Sequence, residues 1–252
     1  TSLRVCQLGS GSSGNATLVA TDRVRLLVDV GFSFREIGKR LKASGEDPEK
    51  IDAILISHEH ADHVSGLPQW VKKAKAPIYI TEETEAALEW NGVAPNSERF
   101  RAGQRLVIGD LEVDTFTVPH DAVDPIAFCF HSQGIKVGLA MDLGYIPDSV
   151  KHHIGGCHLL LLESNHDLEM LRVSPYPFFV RQRVGSRHGH LSNQAVSEFL
   201  ETGFDGQARW LVLTHLSAKN NHPAIADMSA REALNRRGAT GTRLVIAEQR
   251  RP

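Results

Sequence analysis

Short apolar runs recur along the chain, and most of them stop at a polar side chain of the kind that binds metal. RLLVD ends at Asp29, AILISH at His58, VDTFTVPH at His120 and KVGLAMD at Asp142. HLLLLES ends beside Glu163, and WLVLTH ends at His215. Runs this short and this aliphatic suit buried strands better than helices. Six strands with polar groups at their C-terminal ends predict one catalytic edge fed by a sheet sandwich.

Helical signals fall between these strands. Ser33 precedes FREIGKRLKASG, with Gly45 as the stop, and Thr81 precedes EETEAALEW, whose early glutamates favour the positive end of the helix dipole. Ser192 caps NQAVSEFLET, which ends at Gly203. Strands dominate residues 1–30 and 100–145, where LEVDTFTV alternates cleanly. A mixed α/β layered domain follows, with helices covering two packed sheets. The consecutive strands of residues 100–145 count against a doubly wound parallel sheet. Gly9-Ser10-Gly11-Ser12-Ser13-Gly14 fits a dinucleotide fingerprint, but Asn15-Ala16-Thr17-Leu18-Val19 continues as a strand where that fingerprint needs a helix. The segment therefore reads as a glycine-rich hairpin whose Ser12, Ser13 and Asn15 are expected to line the site, with backbone N–H groups offered to a phosphate.

Composition narrows the class. The 252 residues are 41% hydrophobic and 23% charged, enough for a full core and an ordinary polar surface. The formal charge of −2 argues against a protein that coats nucleic acid or anionic membrane by bulk charge. That sum hides an asymmetry: residues 1–169 carry 16 basic and 24 acidic side chains, and residues 170–252 carry 12 and 6. Cys6, Cys129 and Cys157 lie far apart with no CxxC spacing, so they are expected as reduced, buried thiols. The longest aliphatic run, Leu159–Leu162, is far short of the roughly 18–20 residues that span a bilayer. A cytoplasmic chain without a membrane anchor is expected.

The decisive stretch is His58-Glu59-His60-Ala61-Asp62-His63. Four ligand-type side chains within six residues, just after a buried strand, are hard to explain as packing. Imidazole and carboxylate together suit zinc, iron or manganese, and the lack of thiolate argues against a closed structural zinc site. His58 and His60, two apart in an extended loop, point the same way. Asp62 and His63 diverge towards a second position, so one loop can grip two metals.

Here the chain resembles the metallo-β-lactamase fold superfamily, a four-layer αββα sandwich, with residues 1–252 as a single domain. The resemblance implies His58, His60 and His120 on one metal and Asp62, His63 and His215 on the other, with Asp142 bridging them. Asp29, in VDVG, matches a position that orients the ligand loop, and an aspartate at 142 looks like the hydrolase and phosphodiesterase branches. LGSGSSGN, SHEHADHVSGL, PHDAVDP, DLGY, LESNHD, RVSPYP and GHLSN look like the YycJ/WalJ-type bacterial branch, which is nuclease-like. His190, in GHLSN, matches a helper histidine of the tRNA-processing relatives, which implies contact with the scissile phosphate or protonation of the leaving oxygen. Glu163 and His166 follow a strand at the same edge and are expected to support the metal ligands, with His166 and Asp167 open to a site role as well.

Two divalent ions about 3.5–4 Å apart hold a bridging hydroxide at neutral pH and stabilise both attacking and leaving oxygens, which phosphodiester hydrolysis demands. Zn²⁺ and Mn²⁺ are the expected ions, with iron a further option, and Asp62 is placed to orient the nucleophile. From Met170 to Ser197 there is no acidic residue, yet Arg172, Arg181, Arg183 and Arg187 all occur. These arginines are expected to contact phosphate. The neighbouring Phe178 and Phe179 read as core, and the Arg236-Arg237 and Arg250-Arg251 pairs as ordinary solvated charge. The resemblance to that bacterial branch implies hydrolysis of nucleic acid, DNA rather than RNA, as a 5′-to-3′ exonuclease. Hydrolysis of a small cyclic phosphate or a thioester is the alternative, and oligomeric state is left open.

Overall fold

The computed structural model describes residues 3–249 and 252, so the Arg250-Arg251 pair lies outside the described residues. The chain forms two compact units, one of residues 1–115, 122–126 and 248–252, the other of residues 116–121 and 127–247.

In the first unit, β1 (Arg4–Gly9), β2 (Ala16–Ala20) and β3 (Arg25–Val28) pair antiparallel. β4 (Ala53–Leu55), β5 (Ile78–Thr81) and β6 (Ser97–Phe100) then join in parallel, giving a six-stranded sheet in sequence order. The glycine-rich segment is the β1–β2 connection, as its strand-like continuation predicts. Helix α1 (Phe34–Ala43) starts where Ser33 accepts a hydrogen bond from Glu36 N, and it buries Ile37 and Leu41. Both pack with Leu27, Ile54 and Trp70 in one apolar cluster. Each such fully buried aliphatic side chain contributes about 1.5–3 kcal/mol. Three shorter helices follow: α2 (Ala61–Val64), α3 (Leu67–Lys73) and α4 (Glu82–Ala86), the last capped by Thr81. Two further strands, β7 (Arg105–Ile108) and β8 (Leu111–Thr117), form an antiparallel hairpin.

The second unit holds β9 (Ile126–Ser132), β10 (Ile135–Ala140), α5 (Asp148–Ile154), β11 (Leu159–Glu163), α6 (Leu168–Arg172) and α7 (Phe178–Val184). It continues with α8 (Asn193–Thr202), β12 (Trp210–Thr214), α9 (Pro223–Arg237) and β13 (Arg243–Ile246). The seven-stranded sheet runs β13-β12-β11-β10-β9-β8-β7, and β10 to β13 are parallel. Val196, Phe199 and Leu200 of α8 and Ala226, Ala230 and Ala233 of α9 close over Leu160, Leu162, Leu211 and Leu213. Two mixed sheets flanked by helices are the layered architecture that the alternation of runs and caps predicts. The thiols are free, but Cys6 is half-buried rather than buried like Cys129 and Cys157.

Register positions the polar groups. In the second unit Ala140 pairs with Leu162, and Leu162 pairs with Leu213. One or two residues beyond this row stand Asp142, Glu163 and His215, at the carboxyl ends of three adjacent parallel strands. Ligand sites of open α/β sheets form at such ends.

Candidate metal centre

In the first unit the chemistry is packed into one short segment, the loop after β4 and the helix α2. β3 ends at Val28, and Asp29 turns the chain with φ of 60°. Its fully buried carboxylate accepts hydrogen bonds from Ser57 N (2.8 Å), Ser57 Oγ (2.7 Å) and His63 Nδ1 (2.7 Å). Because the Ser57 hydroxyl gives its proton to Asp29, its oxygen accepts from His58 Nδ1 at 2.9 Å. One carboxylate thus fixes the proton on Nδ1 of two histidines and leaves Nε2 of each unprotonated, the form in which an imidazole can hold a metal. The His58 ring centroid lies 4.6 Å from that of His60 and 4.3 Å from that of His63. Asp62 Oδ2 is 3.5 Å from His63 Nε2.

Backbone contacts hold this loop down. Asn15 N donates to Asp62 O and Val30 N to His63 O, each at 2.8 Å. A Cβ on Gly31 would stand 1.8 Å from Asp62 O, so only glycine lets the ligand loop lie this close. Asn15, expected to line the site for a phosphate, is fully buried. Its Nδ2 donates to Gly11 O (3.0 Å) and Asp62 Oδ2 (3.2 Å), so it positions Asp62. Ser12 and Ser13 are exposed, and Ser13 N donates to Gln249 Oε1 at 3.0 Å.

In the second unit the ligand-type groups come from separate strand ends. Glu163, completely buried, lies at their centre. Its Oε1 accepts from His190 Nδ1 (2.7 Å) and His215 Nδ1 (2.8 Å), and its Oε2 from Leu143 N and Leu191 N, both at 3.1 Å. Burial alone would raise the Glu163 carboxyl. The charge of His190 and the hydrogen bonds from His190 and His215 outweigh it, lowering the pKa to about 2. Burial likewise opposes the charge on His190, but Glu163 and Asp142 overcome it and push the pKa up to about 10. His190 is the most accessible of the group, with 21% of its side chain exposed.

Asp142 Oδ1 sits 3.3 Å from His190 Nδ1 and 3.4 Å from His215 Nδ1. His120 turns Nδ1 to Gly189 O at 2.9 Å, and burial lowers its pKa, keeping the ring neutral as a ligand must be. Ligand atoms of Asp142, Glu163, His190 and His215 all lie within 4.8 Å of one another. A nitrogen and oxygen donor set of this kind, without thiolate, fits Zn²⁺ or Mn²⁺. Asp142 and His215 both have φ of 55°, the left-handed region that Asp29 also occupies. Non-glycine residues in that region are uncommon and cluster at functional sites.

His166 is buried, and burial lowers its pKa to about 4, so it is neutral. Its carbonyl accepts from Asn193 N at 2.8 Å and its Nδ1 lies 3.3 Å from Asn165 Oδ1. Asp167 caps α6 through Met170 N at 2.9 Å. Asn165, which the sequence reading passed over, donates from Nδ2 to His215 O at 2.9 Å. Behind it Ser164, Asn193 and Asn221 form a closed buried network. The signal for it was the serine and asparagine beside each histidine motif, in ESNH, HLSN and KNNH.

The four arginines of the acid-free segment are engaged. Arg172 pairs with Glu169 and Arg183 with Asp121, each at 2.8 Å, and Arg187 lies 4.1 Å over the Tyr145 ring. Arg181 donates to Arg172 O. Such exposed pairs are worth at most about 1 kcal/mol. The expectation that Phe178 and Phe179 belong to the core is overturned: they are 65% and 70% exposed, and no residue of α7 is buried. Arg236 pairs with Glu201 at the surface, as solvated charge should. Among the described residues, no helix is long and apolar enough to cross a membrane.

The chain is similar to known proteins along most of its length. Residues 24–216 match the Beta-lactamase superfamily domain. The chain is 36% identical to the exodeoxyribonuclease YycJ of Bacillus anthracis over 234 residues, 92% of this chain and 89% of the relative. It is 35% identical to the exodeoxyribonuclease WalJ of Streptococcus pneumoniae D39 over 227 residues, 88% of this chain and 84% of the relative. Among solved structures, the metallo-β-lactamase fold protein YhfI of Bacillus subtilis superposes with a TM-score of 0.73 at 22% identity, covering 99% of this chain and 98% of that one.

Proposed function

The chain belongs to the β-lactamase superfamily as a metal-dependent hydrolase of the metallo-β-lactamase fold, and from that premise we propose that it hydrolyses the phosphodiester bonds of DNA, from a 5′ end. The observation that carries the substrate is the match along 92% of the chain to a protein named as an exodeoxyribonuclease. By motif order, we assign His58, His60 and His120 to one divalent cation and Asp62, His63 and His215 to the other, with Asp142 shared. When bound, two Zn²⁺ or Mn²⁺ ions supply a nucleophilic water at neutral pH and offset the charge of the phosphate.

The protein's own groups orient and move the protons. Asp62, steered by Asn15 Nδ2 at 3.2 Å, accepts a hydrogen bond from the attacking water and aims it. His190 commits its Nδ1 proton to Glu163, which leaves Nε2–H to give to the departing oxygen. Glu163 and Asp29 hold the imidazoles and touch no substrate. Asp167 caps the start of α6, and the His166 carbonyl accepts from Asn193 N at the start of α8.

The test is a panel of end-labelled single- and double-stranded DNA and RNA with added Mn²⁺ or Zn²⁺, with Asp62→Ala as control. DNA shortened stepwise from its 5′ end, and lost with Asp62→Ala or with a chelator, is the expected result. Turnover of a small cyclic phosphate with no cleavage of any polymer would overturn the reading. Unchanged DNA turnover in His190→Ala would remove His190 from the proton transfer.

A further inference from the structure

Two adjacent aromatic side chains of the second unit lie at its surface. Phe178 and Phe179, adjacent in α7, are 65% and 70% exposed. Exposing one large aromatic ring is ordinary, but two in succession on a seven-residue helix with no buried residue serve no packing role. The stretch between Glu169 and Glu198 holds four arginines and no carboxylate; Arg172 and Arg183 are paired with Glu169 and Asp121, while Arg181 forms no ion pair among the described residues. Nearby, Lys219 Nζ lies 5.2 Å from the Tyr176 ring, and Arg181 lies 5.9 Å from the Phe178 ring. Neither Lys219 nor Arg187 forms an ion pair among the described residues.

The helix is fastened to the loop that carries His190. His190 N donates to Val184 O at 2.9 Å, and Gly189 N to Ser186 O at 3.0 Å. A Cβ on Gly189 would stand 2.2 Å from Val184 O, so the loop folds directly onto the end of α7. At its other side, Arg181 donates to the Arg172 carbonyl and ties α7 to α6. An exposed aromatic pair is therefore carried on a short rigid piece whose far end positions His190.

We propose that Phe178 and Phe179 are a stacking platform for the bases of a single DNA strand. The inference rests on the reading of the protein as a DNA hydrolase and extends it to the strand beyond the bond that is cut. Aromatic rings take any base, because every base has a π-face, and neighbouring cations follow the phosphates. The charge favours a nucleic acid strand over a second copy of this chain, whose matching surface would carry the same positive sign.

The experiment is fluorescence anisotropy with a labelled phosphorothioate oligothymidylate and an abasic oligomer of equal length. The full chain is compared with the Phe178→Ala/Phe179→Ala double variant and with Phe179→Trp. The double variant should bind oligothymidylate about tenfold or more weakly, bind the abasic oligomer as the parent does, and keep its melting temperature. Phe179→Trp should retain the preference for bases. Equal binding of oligothymidylate by parent and double variant overturns the platform, as does an equal loss for both oligomers. A dimer in sedimentation that dissociates in the double variant, with base preference unchanged, would assign the surface to a second copy. Binding is read without cleavage, so a strand that binds through the phenylalanines and is never cut sinks the hydrolase reading alone.

Discussion

The two ligand clusters are built in opposite ways. In the first unit, His58 and His60 come from the loop after β4 and Asp62 and His63 from the short helix α2 that follows it, and Asp29 holds two of the imidazoles from the end of the neighbouring strand. In the second, Asp142, Glu163 and His215 come from the ends of three parallel strands, and His190 from the loop after α7. Each cluster nevertheless has one buried carboxylate that orients the Nδ1–H groups of two histidines by accepting hydrogen bonds, Asp29 partly through Ser57 and Glu163 directly. Local clustering needs a glycine for close approach. Distributed clustering needs register.

Glu163→Gln tests the contrast most severely. The amide would face either two backbone N–H groups or two imidazole N–H groups, and no flip satisfies all four donors. Loss of a buried partner of this kind costs about 3–5 kcal/mol. The expected outcome is a thermal midpoint lower by roughly 10 °C and metal affinity weaker by about 100-fold, read by differential scanning calorimetry and by titration with Zn²⁺. A variant with parental affinity would mean that register alone aligns the strand-end ligands.

Asp29→Asn should do less, because Asn keeps one acceptor and tolerates the left-handed backbone. Metal affinity is expected to fall about 10-fold, with His63 the group released, visible as an altered imidazole resonance in NMR spectra. A larger loss than that of Glu163→Gln would reverse the order and make the loop the more dependent cluster.

How much of this was legible follows from the same contrast. The loop cluster stands in the sequence as HEHADH, and Asp29 is marked by the strand that ends on it. Strand ends at Asp142 and His215 could be placed because each closes an aliphatic run. The doubling of Glu163 could not, because it depends on Leu162 pairing with both Ala140 and Leu213, contacts made by residues far apart in the chain. Asn15 was misjudged for the same reason: only the approach of Asp62 to β2 shows that its amide is consumed inside the fold. The exposure of Phe178 and Phe179 runs against hydropathy, since α7, between Pro177 and Gly185, turns no residue into the core.

The mildest perturbation is a surface counterpart of Glu163. Glu46 sits between Arg4 (2.9 Å) and Arg25 (2.8 Å). Burial raises its carboxyl, but hydrogen bonds from Arg25 and Arg4 and their charges outweigh this and leave the pKa below the usual glutamate value. A depressed carboxylate stabilises the folded state above its unfolded pKa, and that contribution disappears as pH falls through the folded one. Glu46→Gln should therefore cost about 1 kcal/mol at pH 7 and nothing at pH 2, measured by urea unfolding at both. A cost that persists at pH 2 would show packing, not charge, at that position.

The left-handed turns at Asp29, Asp142 and His215 decide how the protein can be dissected at all. Alanine is ill-suited to that conformation, with a penalty of about 1–2 kcal/mol that has nothing to do with the functional group removed. An alanine scan would merge two deficits at these three positions and exaggerate the importance of each side chain. Asparagine separates them, because it keeps the shape of aspartate and accepts the turn. Comparing alanine with asparagine at 29 and 142 would reveal how much of each position's importance belongs to geometry that precedes any ion.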